Sequence, residues 1–521
     1  MKKLFFLKSS ILSFSTLFLL SFLFPAFLSA QNGSLDLSFG NSGIAISDFG
    51  NSESANSVAV QNDGKIVIGG TVLIGATQKF GIARYNTNGT PDNSFGTNGQ
   101  VVTDIDTLGD CVCVKVLSNG KILGLGRGMH DFILVRYLSN GSKDSTFGMN
   151  GIVISDIPNI VGAVNDMAIQ NDGKIVIAGS KHNGGSNYDA LVFRLNVDAT
   201  MDTSFGNAGM QLLQSGAETD EIQSVKLQND GKIILGGVTG TGNDRDFLLI
   251  RLKSNGSLDS NFGNNGIQIT AIGPVYDICR TVCIQNDGKI LASGYTYYNL
   301  PNARDLVIVR YNANGILDNT FGNGGISVVM TDSVDFGSTA GVLPDGKIVV
   351  GGTRKTATAF DFLLTCFNTT GQLEATFGNG GATTTDYMGS NFANSLAVQS
   401  DGRIVVAGIT NNNGAGNDFM VARYVYDISS PEGLENIVND MQHLKCYPNP
   451  FSDYTLIKFD KNAEDASLDI FNTFGQRIKR MDHLNGTEVI LSRELLPAGL
   501  YTFIVTQKGV TTANGRFSIS D

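Results

Sequence analysis

Along most of the chain, apolar residues come in short bursts separated by polar stretches rich in glycine, asparagine and aspartate. One burst is Ile66-Val67-Ile68, entered through Lys65 and left through Gly69-Gly70. It returns as Lys347-Ile348-Val349-Val350-Gly351-Gly352 and as Arg403-Ile404-Val405-Val406-Ala407-Gly408. A shorter stretch, Ser57-Val58-Ala59-Val60, precedes it, and segments typified by Asp246-Phe247-Leu248-Leu249-Ile250-Arg251 follow. None has a helical period; the lengths and the β-branched content predict strands. Asn62-Asp63-Gly64 between the first two strands predicts a hairpin, because Asp, Asn and Gly tolerate the positive φ such turns need. A turn such as Asn255-Gly256, a Phe-Gly element and an extended stretch like Gly151-Ile152-Val153-Ile154-Ser155 complete about four strands per unit.

The unit repeats. Phe-Gly recurs at Phe39, Phe95, Phe147, Phe205, Phe262, Phe321 and Phe377, at intervals of 52 to 59 residues. A glycine followed by a basic residue keeps the same count, at Gly64, Gly120, Gly173, Gly231, Gly288, Gly346 and Gly402. Two landmarks in step identify seven copies of one β-unit. Because Ile66, Val67 and Ile68 are consecutive, both faces of that strand are apolar, whereas a strand with one wet face would alternate. Each sheet must therefore be covered on both sides, as happens when four-stranded blades stack around an axis. The predicted fold is all-β: a seven-bladed β-propeller of four-stranded blades over residues 31–427. An open β-solenoid is the alternative arrangement of such units.

Composition narrows the picture. Gly reaches 63 residues while Pro is only 10, which fits tight turns better than disorder. A net charge of −11 argues against nucleic acid or an anionic membrane as partner. Residues 1–30 read as a signal peptide: Lys2 and Lys3, an apolar stretch from Ile11 to Leu28, and a small-residue exit at Ser29-Ala30. No later stretch is long and apolar enough to span a bilayer, so no transmembrane segment is expected in the mature chain. The six cysteines do not recur per repeat and read as small buried hydrophobes, with Cys111 and Cys113 expected on one strand face. With four histidines and no CxxC pair, no metal site and no cofactor are expected.

Leu35-Asp36-x-Ser38-Phe39-Gly40, Gly256-Ser257-Leu258-Asp259 with Phe262-Gly263, the Asn-Asp-Gly-Lys turns and the Arg-Tyr pairs at Arg84, Arg310 and Arg423 together resemble the delta-60 repeat family of Bacteroidetes propeller-like proteins. That resemblance covers residues 31–427 and implies no shared catalytic motif. After Tyr424 the period stops. A polar linker is expected over 428–444, then a small Ig-like β-sandwich over 445–521. Its landmarks Tyr447-Pro448-Asn449-Pro450, Gly499 and Tyr501 are similar to the type A sorting domain of the type IX secretion system. The resemblance implies that secretion machinery as a partner, and a secreted, extracellular or outer-membrane-surface location.

Chemistry on such a ring needs residues that break the repeat and converge. Arg127, His130 and Asp131 in the second unit and His182 in the third fall at equivalent places and read as solvated. Glu218, Asp220 and Glu221 form an acidic group in the fourth. Aspartates 131, 189, 246, 305, 361 and 418 occupy one repeat position, which argues for a structural hydrogen bond made repeatedly. No catalytic residue is assigned. The fifth unit is the most distinctive: Tyr276, Tyr297, Tyr298 and Arg304, with Tyr295 beside them, are the candidate ligand-binding residues, suited to stacking on sugars or meeting a protein. The expectation is a non-catalytic binding or structural module for glycans or proteins. A polysaccharide-active hydrolase or lyase and a structural surface-layer component are the alternatives.

Overall fold

The computed structural model describes residues 31–520 except 51, 106–108, 129–131, 156–160, 186, 243, 298–303, 331–333, 412–415, 428–441, 445, 473–476, 495 and 508–509. The expected signal peptide, most of the expected linker, and Tyr298, His130 and Asp131 lie outside the described residues. The chain divides into two compact units, Met1–Ile428 and Ser429–Asp521. No helix occurs among the described residues.

The first unit opens with β1 (Ile44–Ser47), β2 (Ser52–Val60), β3 (Ile66–Ile74), β4 (Thr77–Tyr85) and β5 (Gln100–Thr103). The strands β2-β3-β4-β5 pair antiparallel in that order as one blade. The turn between β2 and β3 is the one the sequence predicts: Gly64 has φ +81°, and its amide donates to Gln61 O at 2.9 Å. Five more blades follow, and a single parallel bridge, Tyr188 to Thr219, links the third and fourth.

The seventh blade takes its outer strand from the other end of the chain. Asn391–Val398, Ile404–Asn411 and Asn417–Tyr424 supply three strands, and β1 supplies the fourth, with Ile44 opposite Ala422 and Ser47 opposite Phe419. The inner strand β2 touches the inner strands Gly109–Val116 on one side and Asn391–Val398 on the other. The ring is closed, and the open solenoid is excluded.

Closure follows from the two-sided apolar pattern. Ile66 and Ile68 pack into the core shared with the seventh blade, whereas Val67 packs into the core shared with the second. Every pair of neighbouring blades encloses such a core, seven in all. Each buried Ile or Val contributes about 1.5–3 kcal/mol, so a blade lacking a neighbour would expose one complete face.

Each inner strand carries one extra residue, at Asn56, Val112, Asn165, Gln223, Arg280, Ser338 and Asn394. Such a bulge inverts the faces on either side of it. Cys111 therefore packs between the first and second blades and Cys113 between the second and third, correcting the expectation that they share a face. The bulge also leaves an inner-strand amide without a ladder partner, and the preceding blade supplies one: Val114 N donates to Ser57 Oγ at 3.1 Å, and Val58 N to Ser395 Oγ at 3.1 Å. The second glycine of Gly69-Gly70 has the same origin, since a Cβ there would lie 2.0 Å from Ser54 O.

At the hairpin end a charged latch ties blades together. Arg84 Nε donates to Asp92 Oδ2 at 2.7 Å, Lys65 Nζ reaches the same oxygen at 2.9 Å, and the guanidinium lies 4.5 Å from the Phe95 ring centre. Its NH1 donates to Ser139 O, on the next blade, at 2.6 Å. Arg136, Arg194, Arg251 and Arg310 repeat the arrangement with Asp144, Asp202, Asp259 and Asp318. In the seventh blade the parts come from both chain ends: Arg423 pairs with Asp36 at 2.9 Å and covers Phe39. Only the sixth departs, with Cys366 in place of the arginine and Glu374 bound to Lys347 at 3.0 Å.

The second unit is strand-rich, and its strands form one hydrogen-bonded set. Register breaks between Lys458 and Leu468 divide its long strand Tyr454–Phe471 into two paired stretches around a common core.

The latch yields two expectations. Arg194 and Asp202 are both 8 % exposed, so Asp202→Ala leaves a buried guanidinium unpaired and costs about 3–5 kcal/mol in urea unfolding. Glu374→Ala leaves only the Thr376 hydroxyl and a lysine that can reach water, and costs roughly 1 kcal/mol; equal losses would show that the arginine is not the key partner. The second expectation concerns acid. Burial alone would raise the Asp92 carboxyl, but Lys65, Ser94 and Arg84 outweigh it and hold it well below the ordinary carboxylate range. Lys121 beside Asp144 and Lys174 beside Asp202 act in the same sense. Folded-state values below the unfolded ones stabilise above about pH 4, and that contribution is lost as pH falls further. The urea midpoint should hold from about pH 7 to 5 and drop steeply below about 4; an unchanged midpoint there would contradict the latch.

Candidate functional site

Because strands within a blade alternate direction, the hairpin turns and Phe-Gly elements gather at one end of the ring. The β3–β4 type turns and the blade-to-blade loops gather at the other. The latch end is nearly uniform around the ring. The opposite end is not.

One inner-strand position, two residues before the bulge, shows the difference. In blades one to four it is Ser54, Asp110, Ala163 and Glu221; in blades five to seven it is Ile278, Phe336 and Phe392. The first half lines a cavity of about 500 Å³ with Ser54, Asn56, Asp110, Arg127, Asn165 and Gln223 among its walls. Polar groups of its wall are tied to the fold: Asn56 Nδ2 donates to Cys111 O at 2.8 Å and Arg127 NH1 to Asn165 Oδ1 at 3.1 Å. Outside that cavity, Arg245 NH1 donates to Glu221 Oε1 at 3.3 Å.

The second half is an aromatic band crossing three blades. Ring centres lie 5.6 Å apart for Tyr276 and Tyr297, 6.3 Å for Tyr295 and Tyr297, and 5.8 Å for Tyr295 and Phe336. The band continues through Phe336 to Phe360 at 6.4 Å and Phe360 to Phe392 at 5.0 Å. All six rings are half-buried. Arg304 is held among them, 4.3 Å from the Phe336 centre and 5.4 Å from both Tyr295 and Tyr297, and its Nε donates to Tyr297 Oη at 2.6 Å. The exposed Arg280 also approaches the Tyr295 ring, at 5.8 Å.

Of the residues singled out from sequence, Tyr276, Tyr297 and Arg304 come together here, and Tyr298 lies outside the described residues. Phe336, Phe360, Phe392 and Arg280 were missed. Aligning the units by their bulges, rather than by their turns, would have found Phe336, Phe392 and Arg280.

The carboxylates at this end hold the fold. Asp220 is buried and accepts from Ser215 N and Oγ, both at 2.7 Å. Asp277 is buried and accepts from Ile272 N at 2.6 Å and from Thr296 Oγ1; burial pushes its carboxyl up despite these bonds. Asp335 pairs with Arg354 at 2.8 Å. Among the recurrent aspartates, Asp189 accepts from Gln214 Nε2 at 3.0 Å, and burial and the Asp244 and Asp277 carboxylates push Asp246 up. His182 sits in the strand Ile175–Gly184 with its ring 4.9 Å from Tyr188. Asp48, Glu53 and Asp418 bring carboxylate oxygens within 4.8 Å of one another at the closing seam. Inside the channel, Asp166 accepts from Val225 N at 3.0 Å and is flanked by Lys115 and Lys226 at 3.4 and 3.3 Å, a variant of the bulge-satisfying contact.

In the second unit, Asn449 Oδ1 accepts from Ser518 N at 2.8 Å, Pro448 O accepts from Thr455 Oγ1 at 2.6 Å, and the buried Tyr501 stacks on Phe517 at 5.3 Å. Gly499 pairs opposite Ile519, so these landmarks bind the turn to the last strand and leave Tyr447 81 % exposed.

Seven segments match the β-propeller domain of unknown function DUF5122: 61–95, 117–147, 170–205, 228–262, 285–321, 343–377 and 399–424. Six close on the phenylalanine of a Phe-Gly element, and the seventh stops short because its phenylalanine, Phe39, comes before the first repeat segment. Residues 445–519 match a secretion system C-terminal sorting domain. No curated protein matches the chain significantly. Among solved structures, Sqt1 of Chaetomium thermophilum is similar at 11 % identity and TM-score 0.42, over 77 % of this chain and 99 % of that one. A protein of unknown function from Dyadobacter fermentans is similar at 12 % and 0.37, over 73 % and 97 %. PorZ, a surface component of the type IX secretion system of Porphyromonas gingivalis, is similar at 9 % and 0.22, over 90 % and 81 %.

Proposed function

From a chain that carries seven DUF5122 β-propeller repeats and ends in a type IX sorting domain, we propose a non-catalytic binding module for glycans or proteins, displayed at the cell surface or released, with its site at the aromatic half of the channel mouth. The sorting domain implies export to the cell surface or the extracellular space, and no described helix is long and apolar enough to cross a membrane. Removal of residues 1–30 as a signal peptide and a linker over 428–444 belong to the same proposal.

The observation that carries the binding reading is asymmetry. Seven repeats that need only stack would keep one residue type at one position, as the latch nearly does. The mouth instead changes from hydroxyl and carboxylate to aromatic within one ring. Half-buried rings beside a guanidinium, on loops carried by a rigid ring, are the composition of recognition sites. The hydrolase or lyase alternative is disfavoured because the mouth acids Asp220, Glu221 and Asp335 are each tied to a structural partner.

Incubating the full chain with a panel of soluble polysaccharides, while scoring binding and new reducing or unsaturated ends together, separates these readings. Saturable binding without new ends, weakened about tenfold by Phe336→Ala, is expected. Ends that accumulate with time would favour a hydrolase or lyase, and self-association without saturable binding would favour a surface-layer component.

A further inference from the structure

The seventh blade carries an open turn at the latch end. In the first blade the turn after β4 is continuous: Asn86 N donates to Thr90 O and Gly89 N to Asn86 O, both at 2.9 Å. In the seventh the same two bonds join separate pieces of chain, Val425 N to Ser34 O and Gly33 N to Val425 O, both at 2.8 Å. Asn32 stands where Asn88 stands, since Gly378 N donates to Asn32 O at 2.7 Å as Gly40 N does to Asn88 O at 2.8 Å. The chain thus enters the ring at Asn32 and leaves it at Asp427 through one gap. Asp427 N donates to Asn32 Oδ1 across that gap at 2.6 Å. An open turn lacks the short covalent link between its two sides, so closing it costs the entropy of a loop that spans the whole ring.

Two departures from the repeat meet at this gap. The position of Tyr426 holds Thr87, Ser139, Val197, Ser254, Ala313 and Thr369 in the other blades, and there its carbonyl accepts from the latch arginine of the preceding blade. In the sixth blade that arginine is replaced by Cys366, and Tyr426 joins Cys366 and Phe377 in one core. The Tyr426 side chain is buried, with its ring centre 6.4 Å from that of Phe377, where the other blades set a guanidinium 4.2–4.7 Å from the phenylalanine. Its hydroxyl donates to Asp345 Oδ2, on the hairpin turn of the sixth blade, at 2.6 Å. A small residue has replaced a large one on one side of the seam, and a large one a small one on the other, so the packed volume is kept. We infer that Tyr426 is the latch of the sixth blade, supplied by the departing chain, and that it fastens both the entry and the exit of the ring. The tail can then be severed beyond Asp427, by protease-catalysed addition of water across one peptide bond, with the ring intact. Loss of Tyr426 loosens both ends at once.

Hydrogen exchange and calorimetry on the full chain test this. Tyr426→Ala should speed exchange at the Gly33, Gly378 and Val425 amides by about tenfold and lower the melting temperature of the ring, while the continuous first-blade turn at Gly89 stays unchanged. Tyr426→Phe, which loses only the bond to Asp345, should give a smaller change in the same direction. Cys366→Arg placed in the Tyr426→Ala background should restore slow exchange, because the backbone carbonyl at position 426 is still there to accept from the introduced guanidinium. A specific protease site inserted directly after Asp427, and cut in the folded chain, should leave the melting temperature of the ring unchanged. Faster exchange confined to Val425, no rescue by Cys366→Arg, or a fall in melting temperature on cutting after Asp427 would each overturn the inference.

Discussion

Every blade has two apolar faces and needs two neighbours, and that requirement governs the rest of the molecule. Ile66 and Val67, adjacent in sequence, enter different inter-blade cores. A linear stack of such blades would always leave two faces bare. The ring removes them, and it closes by pairing β1 with the strand that ends at Tyr424, so the first and last described parts of the repeat unit share one blade. The latch is completed in the same way, with Asp36 and Phe39 from one end and Arg423 from the other. Closure is thus held by hydrogen bonds, a buried ion pair and a hydrophobic core that all need both chain ends in place.

The division of labour between the two ends of the ring follows. At the latch end, the same ion pair, cation–π contact and inter-blade hydrogen bond recur almost unchanged, because each seam poses the same packing problem. The segments matched by the repeat family run through this end, from the hairpin turn to the latch phenylalanine. At the mouth, the inner-strand position before the bulge faces no such common demand, so Ser54 and Phe336 can stand at equivalent places on equivalent backbones. A rigid frame at one end leaves side chains free to diversify at the other, which is how repeat scaffolds acquire binding faces.

Much of this was legible in the residues. Consecutive apolar positions dictated two-sided burial, and the spacing of Phe-Gly and Gly-basic landmarks counted the blades. The identity of the closing strand was not legible, because the landmark count is seven whether or not Phe39 belongs to the same blade as Gly64. The bulges were also invisible: nothing in Cys111-Val112-Cys113 announces an extra residue, so the two thiols were assigned to one face and occupy two. The candidate site was half seen. Tyr276, Tyr297 and Arg304 cluster in one unit and drew notice, whereas Phe336, Phe360 and Phe392 lie up to about a hundred residues further on and join them only through the ring.

The central claim is that the mouth is functionally two-sided, and one scan around the ring addresses it. Single substitutions at the equivalent positions Ser54, Asp110, Glu221, Ile278, Phe336 and Phe392, each to alanine, would be compared for binding of the full chain to an immobilised cell-surface polysaccharide fraction, with melting temperature recorded for each. The account predicts losses confined to Phe336 and Phe392, with a smaller one at Ile278, at unchanged melting temperature. Losses spread evenly around the ring, or falling on Ser54, Asp110 and Glu221 instead, would contradict it.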